Sequence, residues 1–222
     1  MHRVLLHQQH VLPDWRAFAA IIVMGGPMGA YEDELYPWLG PEKQLIAEAV
    51  AAGTPYWGVC LGAQLLAATL NARVAPGPRA ELGVLAVELT EGAAADPVFA
   101  HAPRSFEALQ WHGDTFDLPR GAIQLARSEL YEQQAFVIGR AYALQFHLEV
   151  TVSLAAEWME MPAYVQELQE LAGPHSPARL LERMAAATPR SVPLARALFS
   201  RWLEHVVGMQ PLEQPTAATT DG

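Results

Sequence analysis

The sequence is poor in the residues and patterns that would place a protein outside the cytoplasm or in a membrane. Its 222 residues contain a single cysteine, which excludes an internal disulfide and fits a reducing compartment. The longest apolar run, residues 17–24, is far shorter than the roughly 20 residues that span a bilayer. The apolar stretch at the N-terminus is too short for a signal peptide. We therefore expect a soluble, cytoplasmic protein that makes no membrane contact.

Positive charge is also scarce. The chain has 14 Lys and Arg residues against 24 Asp and Glu residues, a formal net charge of −10. Because the basic residues form no cluster, nucleic-acid binding through phosphate neutralisation is disfavoured. The eight histidines are widely spaced, which argues against a zinc site. We expect no metal, no cofactor and no nucleic-acid partner.

The first third of the chain predicts an α/β architecture. Short apolar runs at 4–6, 21–24 and 55–59 indicate strands. Apolar residues at helical spacing indicate helices over 41–50 and from 61 to about 71. Such alternation of strand and helix is typical of a mainly parallel central sheet flanked by helices on both faces.

The remaining two thirds change pattern twice. Short strands separated by turn signals predict antiparallel additions to the sheet, at 84–89, 105–109, 122–126, 135–138 and 142–146. After Thr151, segments punctuated by proline predict helices, at 153–160, 162–172, 177–187 and 192–207. We predict an α/β domain over 1–151, a helical extension over 152–209 packed on the same domain, and a flexible tail over 210–222.

Cys60 lies where a strand pattern gives way to a helical one, in segment 58–64, Gly-Val-Cys-Leu-Gly-Ala-Gln. A cysteine between two glycines at such a junction is held on a sharp turn at the positive end of a helix. Backbone N–H groups there favour the thiolate, which is the nucleophilic form. A buried, inert thiol is the alternative for a lone cysteine, but the glycines and the junction favour a nucleophile.

A thiol nucleophile needs a base, and the base usually needs an orienting carboxylate. Segment 145–149, Gln-Phe-His-Leu-Glu, ends the last predicted strand, so alternation places His147 and Glu149 on one side. Both could then face the carboxyl end of the sheet, where open α/β sheets bind ligands. A surface histidine beside an unrelated glutamate is the other interpretation of this spacing.

Two weaker signals accompany these segments. Segment 25–29, Gly-Gly-Pro-Met-Gly, lacks the features of a P-loop or a dinucleotide fingerprint. A glycine pair is nevertheless well suited to present a backbone N–H to an oxyanion. His112, in Trp-His-Gly-Asp at 111–114, either pins a turn or helps to shape a pocket.

Together the three blocks resemble the signature of the class I glutamine amidotransferases, in the right order and from about residue 12 to residue 150. The Gly-x-Cys-x-Gly-x-Gln block joined to Gln-Phe-His-x-Glu is the specific part of this resemblance. Segments 24–29 and 111–114 are also similar to stand-alone members related to the amidotransferase domain of GMP synthase.

The resemblance implies release of ammonia from the side-chain amide of glutamine through a glutamyl thioester. Cys60 would attack the carboxamide, His147 would transfer the protons, and Glu149 would orient His147. The N–H groups of Gly26 and Leu61 would form the oxyanion hole.

The resemblance also implies substrate contacts and partners. Gln64 matches the family position that contacts the bound glutamine, with Gly25 and His112 completing the substrate-binding residues. Ammonia made by such a domain normally passes to a synthetase, and because the chain has no ATP-binding motif, that acceptor would be a separate subunit. A γ-glutamyl peptidase acting on γ-glutamyl amides and a non-catalytic binding or regulatory protein are the alternatives.

Two departures from the family pattern bear on the fold. Leu148 stands where the family usually has proline, which leaves the alternation intact. Only residues 1–24 precede the Gly-Gly-Pro loop, where the family normally has two strands and a helix ahead of the loop's own strand. A βα unit is therefore missing or the start is set too late, and we expect an exposed sheet edge. Pairing of the C-terminal helices in a homodimer is an alternative to their packing on the sheet.

Overall fold

One mixed sheet organises the computed structural model, which describes residues 1–8 and 11–209. In chain order its strands are β1 (Ile21–Val23), β2 (Tyr56–Val59), β3 (Val74–Leu89), β4 (Ser105–Phe116), β5 (Ile123–Arg127), β6 (Ala135–Ile138) and β7 (Ala141–Leu144). The helices are α1 (Leu39–Ala51), α2 (Leu61–Thr69), α3 (Glu91–Ala94), α4 (Val152–Trp158), α5 (Pro162–Ala172) and α6 (Ser176–Arg201). A short 3-10 helix covers Trp15–Ala17, and a π-helical turn covers Trp202–Val207.

Parallel pairing is confined to one end of this sheet, whose strand order is β1-β2-β7-β6-β5-β3-β4. β1 pairs with β2, and β2 with β7, in parallel. The crossover through α1 between β1 and β2 makes that direction possible. The other neighbouring strands pair antiparallel. The predicted α/β class with antiparallel additions is confirmed, and β1 forms one edge of the described sheet.

The two faces of the sheet carry separate apolar cores. Along β2, Tyr56 packs with the residues of α1 and α2, whereas Trp57 packs on the opposite face, as strand alternation requires. Trp57 stacks on Tyr142 and meets Trp202 of the π-helical turn, at ring-centroid distances of 6.0 and 5.5 Å. The carboxyl ends of β2 and β7 therefore emerge between two helical layers.

The C-terminal helices pack on β3 and β4. Leu180 and Met184 of α6 form one buried cluster with Val84 and Leu109 of the sheet. The helices that follow Thr151 therefore direct their apolar faces at the sheet. Within the described residues, no helix is both long and apolar enough to cross a membrane. The tail predicted over 210–222 lies outside the described residues.

The strand predicted at 4–6 is wrong. The N–H of Gln8 donates to the carbonyl of Leu5 at 2.9 Å, and the backbone turns there. A three-residue apolar run becomes a strand only where a neighbouring strand supplies ladder hydrogen bonds. The described sheet instead ends at β1, which pairs with β2 on one side.

The break predicted between helices 177–187 and 192–207 is also wrong, because α6 runs without interruption through Pro189 and Pro193. An interior proline destabilises a helix by about 3 kcal/mol or more. Packing opposes that cost here. A buried stripe at helical spacing continues on both sides of the prolines, through Leu180, Met184, Ala187, Ser191 and Leu198.

Candidate active site

Cys60 occupies a strained turn between β2 and α2. Its backbone dihedrals are φ 54° and ψ −110°, and such a conformation costs a non-glycine residue about 1–3 kcal/mol. Its N–H donates to the carbonyl of Leu144, at the end of β7, over 2.7 Å. The turn presents the thiol at the start of a helix, which is the geometry of the nucleophile elbow in other α/β enzymes.

The glycines on either side of Cys60 are required by close packing of backbone on backbone. A Cβ at Gly62 would lie 2.2 Å from the carbonyl oxygen of Val23, and a Cβ at Gly58 would lie 2.6 Å from the carbonyl oxygen of Gly62. Neither neighbour is a side chain that could rotate away. The glycines therefore let α2 dock against β1 and β2 with Cys60 at its tip.

His147 and Glu149 follow β7 and are hydrogen-bonded to each other, with 2.7 Å between Nδ1 and Oε1. Backbone hydrogen bonds in both directions with Leu109, of 2.8 and 3.0 Å, hold His147 against β4. The second carboxylate oxygen of Glu149 accepts from the N–H of Leu148 over 3.0 Å. Because Nδ1 is bonded to Glu149, Nε2 is the ring nitrogen that remains for the sulfur of Cys60.

Charge interactions keep the His147 ring protonated. Burial alone would lower the pKa of His147, but hydrogen bonds and charge interactions with Cys60 and Glu149 raise that pKa to about 10. Burial would raise the pKa of Glu149, yet the hydrogen bond and charge of His147 hold it below its usual value. At neutral pH the site therefore contains an imidazolium between a sulfur and a carboxylate.

The glycine loop after β1 lies directly against this pair. A Cβ at Gly25 would be 3.3 Å from both Cβ of Cys60 and Cε1 of His147. A Cβ at Gly26 would be 3.1 Å from Cδ2 of Leu61. Leu61 is the first residue of α2, where N–H groups have no acceptor within the helix. The structure thus brings Gly25, Gly26 and Leu61 to the Cys60 turn.

Polar contacts order the rest of this loop, and one side chain connects it to α1. The N–H of Gly29 donates to Oε2 of Glu32 over 2.7 Å. Nζ of Lys43 donates to the carbonyl of Ala30 over 2.9 Å and to Oδ2 of Asp33 over 2.7 Å. The single lysine of the chain therefore fixes the loop that borders Cys60.

A hydrogen bond between Gln64 and Gln145 connects segment 58–64, which contains Cys60, to segment 145–149, which contains His147. Nε2 of Gln64 donates to Oε1 of Gln145 over 3.1 Å, and both residues are buried. This hydrogen bond engages the nitrogen end of the Gln64 amide.

His112 is held by two hydrogen-bond contacts in a buried polar region. Nε2 of His112 lies 3.2 Å from Oε2 of Glu81, and Nδ1 lies 2.9 Å from the carbonyl oxygen of Asp114. Both ring nitrogens are therefore engaged by the protein. The same strand approaches the nucleophile through its backbone, since the carbonyl oxygen of Trp111 is 3.9 Å from Sγ of Cys60.

Sequence reasoning missed the polar network around Glu81. This buried carboxylate accepts from Oγ of Ser128 over 2.8 Å and from Nε2 of Gln134 over 2.7 Å. Oε1 of Gln134 accepts from Gln110 over 3.0 Å. Two buried amide atoms of the region, Oε1 of Gln110 and Nε2 of Gln145, have no hydrogen-bond partner among the described residues. Glutamines inside apolar strand patterns were the signal, because a buried polar residue needs hydrogen-bond partners.

Three aromatic residues beside His147 were missed as well. Trp158 of α4 meets the His147 ring edge to face at a centroid distance of 6.1 Å. Trp111 of β4 and Tyr164 of α5 lie 5.8 and 6.1 Å from Trp158, and 5.6 Å from each other. Trp111, Trp158 and Tyr164 form what we call the aromatic cluster. Two aromatic residues soon after Glu149 were the available sequence signal.

No metal site accompanies these residues in the part of the chain that the structure describes. Within 1–8 and 11–209, no three His, Cys, Asp or Glu side chains are grouped as metal ligands. The arrangement of thiol, imidazole and carboxylate is suited to acyl transfer through a covalent sulfur intermediate.

Comparison with known proteins identifies a matching family and several relatives. The family model of class I glutamine amidotransferases matches residues 5–161. The glutamine-hydrolyzing GMP synthase of Thermomicrobium roseum is 39% identical over 143 residues, which are 62% of this chain and 25% of that protein. The glutamine amidotransferase-like protein YfeJ of Salmonella typhimurium is 34% identical over 144 residues, which are 63% of this chain and 60% of that protein. The chain thus spans about a quarter of that GMP synthase and less than two thirds of YfeJ.

Solved structures of glutamine amidotransferases also resemble this chain in fold and sequence. A glutamine amidotransferase from Thermotoga maritima has a TM-score of 0.75 and 41% identity, covering 82% of this chain and 78% of its own. Another, from Methylobacillus flagellatus, has a TM-score of 0.77 and 29% identity, covering 92% and 82%. The resemblance deduced from the three sequence blocks is confirmed: the chain belongs to the class I glutamine amidotransferase family.

Proposed function

We propose that the protein hydrolyses the side-chain amide of glutamine to glutamate and ammonia through a glutamyl thioester on Cys60. The observation that supports this most directly is the series of contacts from Glu149 through His147 to the sulfur of Cys60. An imidazolium beside the sulfur favours the thiolate, which is the form that attacks an amide carbon. The Thermomicrobium roseum relative is itself named as a glutamine-hydrolyzing enzyme.

The chemical steps follow from the positions of these groups. The Cys60 thiolate attacks the amide carbon, and the N–H groups of Gly26 and Leu61 stabilise the oxyanion that forms. Loss of one such donor typically raises a barrier by about 3 kcal/mol. His147 gives its proton to the departing nitrogen as the carbon–nitrogen bond breaks, and then takes a proton from the water that hydrolyses the thioester. Glu149 orients His147 and stabilises its charged form.

The remaining site residues would hold the substrate. Because Nε2 of Gln64 is bonded to Gln145, Oε1 of Gln64 is placed to accept from the α-ammonium group of glutamine. The backbone of Gly25, packed against Cys60 and His147, would border the scissile amide. His112 would act through its strand, by holding the backbone of Trp111 beside the sulfur.

We also propose a separate synthetase subunit as the acceptor of the ammonia. The chain matches about a quarter of the length of the glutamine-hydrolyzing GMP synthase relative, and a synthetase subunit would use the ammonia that the Cys60 site releases. Co-purification of the protein with a subunit that carries an ATP-pyrophosphatase activity would support this partner. In size-exclusion chromatography, a monomer peak that does not shift when such a subunit is added would contradict this partnership.

Product formation from glutamine tests the proposed function. Wild-type protein should release equal amounts of glutamate and ammonia, and hydroxylamine should trap the thioester as γ-glutamyl hydroxamate. The Cys60→Ala variant should release neither product above background. Equal product from both proteins would contradict a thioester on Cys60. No product from either protein, with and without hydroxylamine, would contradict the proposal and favour a non-catalytic role.

A further inference from the structure

The aromatic cluster is only partly buried, unlike the aromatic residues of the core. Trp57 and Trp202 are 7% and 0% exposed, whereas Trp111, Trp158 and Tyr164 all keep intermediate exposure. Partly exposed aromatic surface beside a reactive group gains free energy when an apolar ligand covers it. A substrate group that reaches the aromatic cluster would therefore be held there.

The surroundings of His147 indicate which part of a substrate would reach the aromatic cluster. Its Nδ1 is bonded to Glu149, its Cε1 edge is bordered by Gly25, and its Nε2 faces the sulfur of Cys60. The His147 ring also makes a T-shaped contact with Trp158, at a centroid distance of 6.1 Å. Since His147 must reach the leaving nitrogen to protonate it, a substituent on that nitrogen would project along the side of the ring that Trp158 lines.

Glutamine places nothing in this region, because its leaving group is ammonia. An amine that carries an aromatic ring would instead contact the aromatic cluster by offset or edge-to-face packing. A leaving amine that carries a charged group, as in a γ-glutamyl dipeptide, would lose hydration against this aromatic surface, whereas a neutral aromatic amine would not.

We propose that the aromatic cluster is the leaving-group subsite of this enzyme and that it selects γ-glutamyl amides of neutral aromatic amines over glutamine. The inference rests on the proposed thioester chemistry and names the substrate class of that same site. The sulfur of Cys60 bonds to the γ-carbon, the carbon–nitrogen bond breaks, and the proton of His147 passes to the amine. Water then cleaves the thioester to give glutamate, and no further reactant is needed.

The test compares kcat/KM for γ-glutamyl benzylamide with kcat/KM for glutamine. We expect the wild-type protein to favour the benzylamide at least tenfold. Trp158→Leu should reduce this ratio about tenfold, mainly through a higher KM for the benzylamide, and Trp158→Phe should restore most of it. Trp15→Leu, a matched substitution in the 3-10 helix, should leave the ratio unchanged. If circular dichroism shows that Trp158→Leu does not fold, Tyr164→Leu should lower the ratio at least threefold.

The outcomes separate this inference from the proposed function. A wild-type ratio at or below one, or a ratio that Trp158→Leu leaves unchanged, would overturn the subsite while glutamine hydrolysis stood. Preference for γ-glutamyl glycine or for γ-glutamyl putrescine would overturn it too, since these carry a carboxylate and a cation. Absence of any Cys60-dependent product from all of these substrates would instead reject the thioester chemistry itself.

Discussion

The substitution Gly62→Ala tests the packing that holds the nucleophile in place. The new Cβ would lie 2.2 Å from the carbonyl oxygen of Val23, about 1 Å inside a normal C···O contact of roughly 3.3 Å. Since that oxygen belongs to the backbone of β1, no side-chain rotation relieves the contact. Either α2 moves away from β1 or the strand shifts, and both movements displace Cys60.

A matched substitution isolates the cost of this contact. Gly40 is the second residue of α1, as Gly62 is of α2, and a Cβ at Gly40 would be 3.6 Å from its nearest neighbour atom. Gly40→Ala should stabilise the protein by about 0.5–1 kcal/mol through helix propensity and the unfolded chain. Gly62→Ala gains the same amount but is opposed by overpacking of about 3 kcal/mol, the upper part of the usual range. The two variants should therefore differ by about 3 kcal/mol in the free energy of unfolding.

Thermal unfolding and steady-state kinetics measure the effect. For a chain of 222 residues, a difference of about 3 kcal/mol separates the two Tm values by roughly 6–12 °C. Displacement of a reacting group by about 1 Å can lower the rate about a hundredfold, so kcat/KM should fall in Gly62→Ala and stay at the wild-type value in Gly40→Ala. Equal Tm values for the two variants would refute the reasoning, as would full activity in Gly62→Ala.

Three further predictions concern the site. Cys60→Ala removes the sulfur that raises the pKa of His147, so the His147 titration followed by NMR should move to lower pH; an unchanged titration would show that the sulfur has no such effect. Glu149→Gln removes another group that raises the pKa of His147. The alkaline limb of the kcat/KM profile, expected near pH 10 in the wild-type protein, should therefore move to lower pH. An alkaline limb that does not move would argue against His147 as the group that titrates there. Gln145→Leu leaves Nε2 of Gln64 without its acceptor, an unpaired buried donor that costs about 1–3 kcal/mol. The KM for glutamine should then rise about tenfold with a smaller change in kcat, and the reverse pattern would place Gln145 in the chemistry instead.

The residues that the sequence could assign are those within short, continuous motifs. Cys60 was recognisable because the strand, the turn and the helix that hold it are consecutive in the chain. For His147 and Glu149, the alternation of an extended segment predicted only that both lie on one side of it. The resemblance to the class I glutamine amidotransferases gave them their expected roles.

The residues that the sequence could not assign meet through pairing of distant strands. Glu81 lies opposite His112 in the β3–β4 pair, and Gln134 reaches Glu81 from across 53 positions of the chain. Nothing in the spacing of these residues announces the contact. Likewise, Pro189 and Pro193 predicted the end of a helix by local rules, and only the buried stripe on the sheet explains why α6 continues.

The backbone conformation of Cys60 has a consequence for the history of this fold. The backbone conformation of φ 54° and ψ −110° at Cys60 lies outside the allowed regions for residues with a side chain, and glycine adopts positive φ most readily. Under the proposed function, selection for the thiol chemistry keeps a cysteine there, because folding alone would favour glycine. A descendant that no longer needs the reaction is therefore free to exchange this cysteine for glycine and gain stability. Glycine at this position would mark lineages in which the fold has been retained for binding alone.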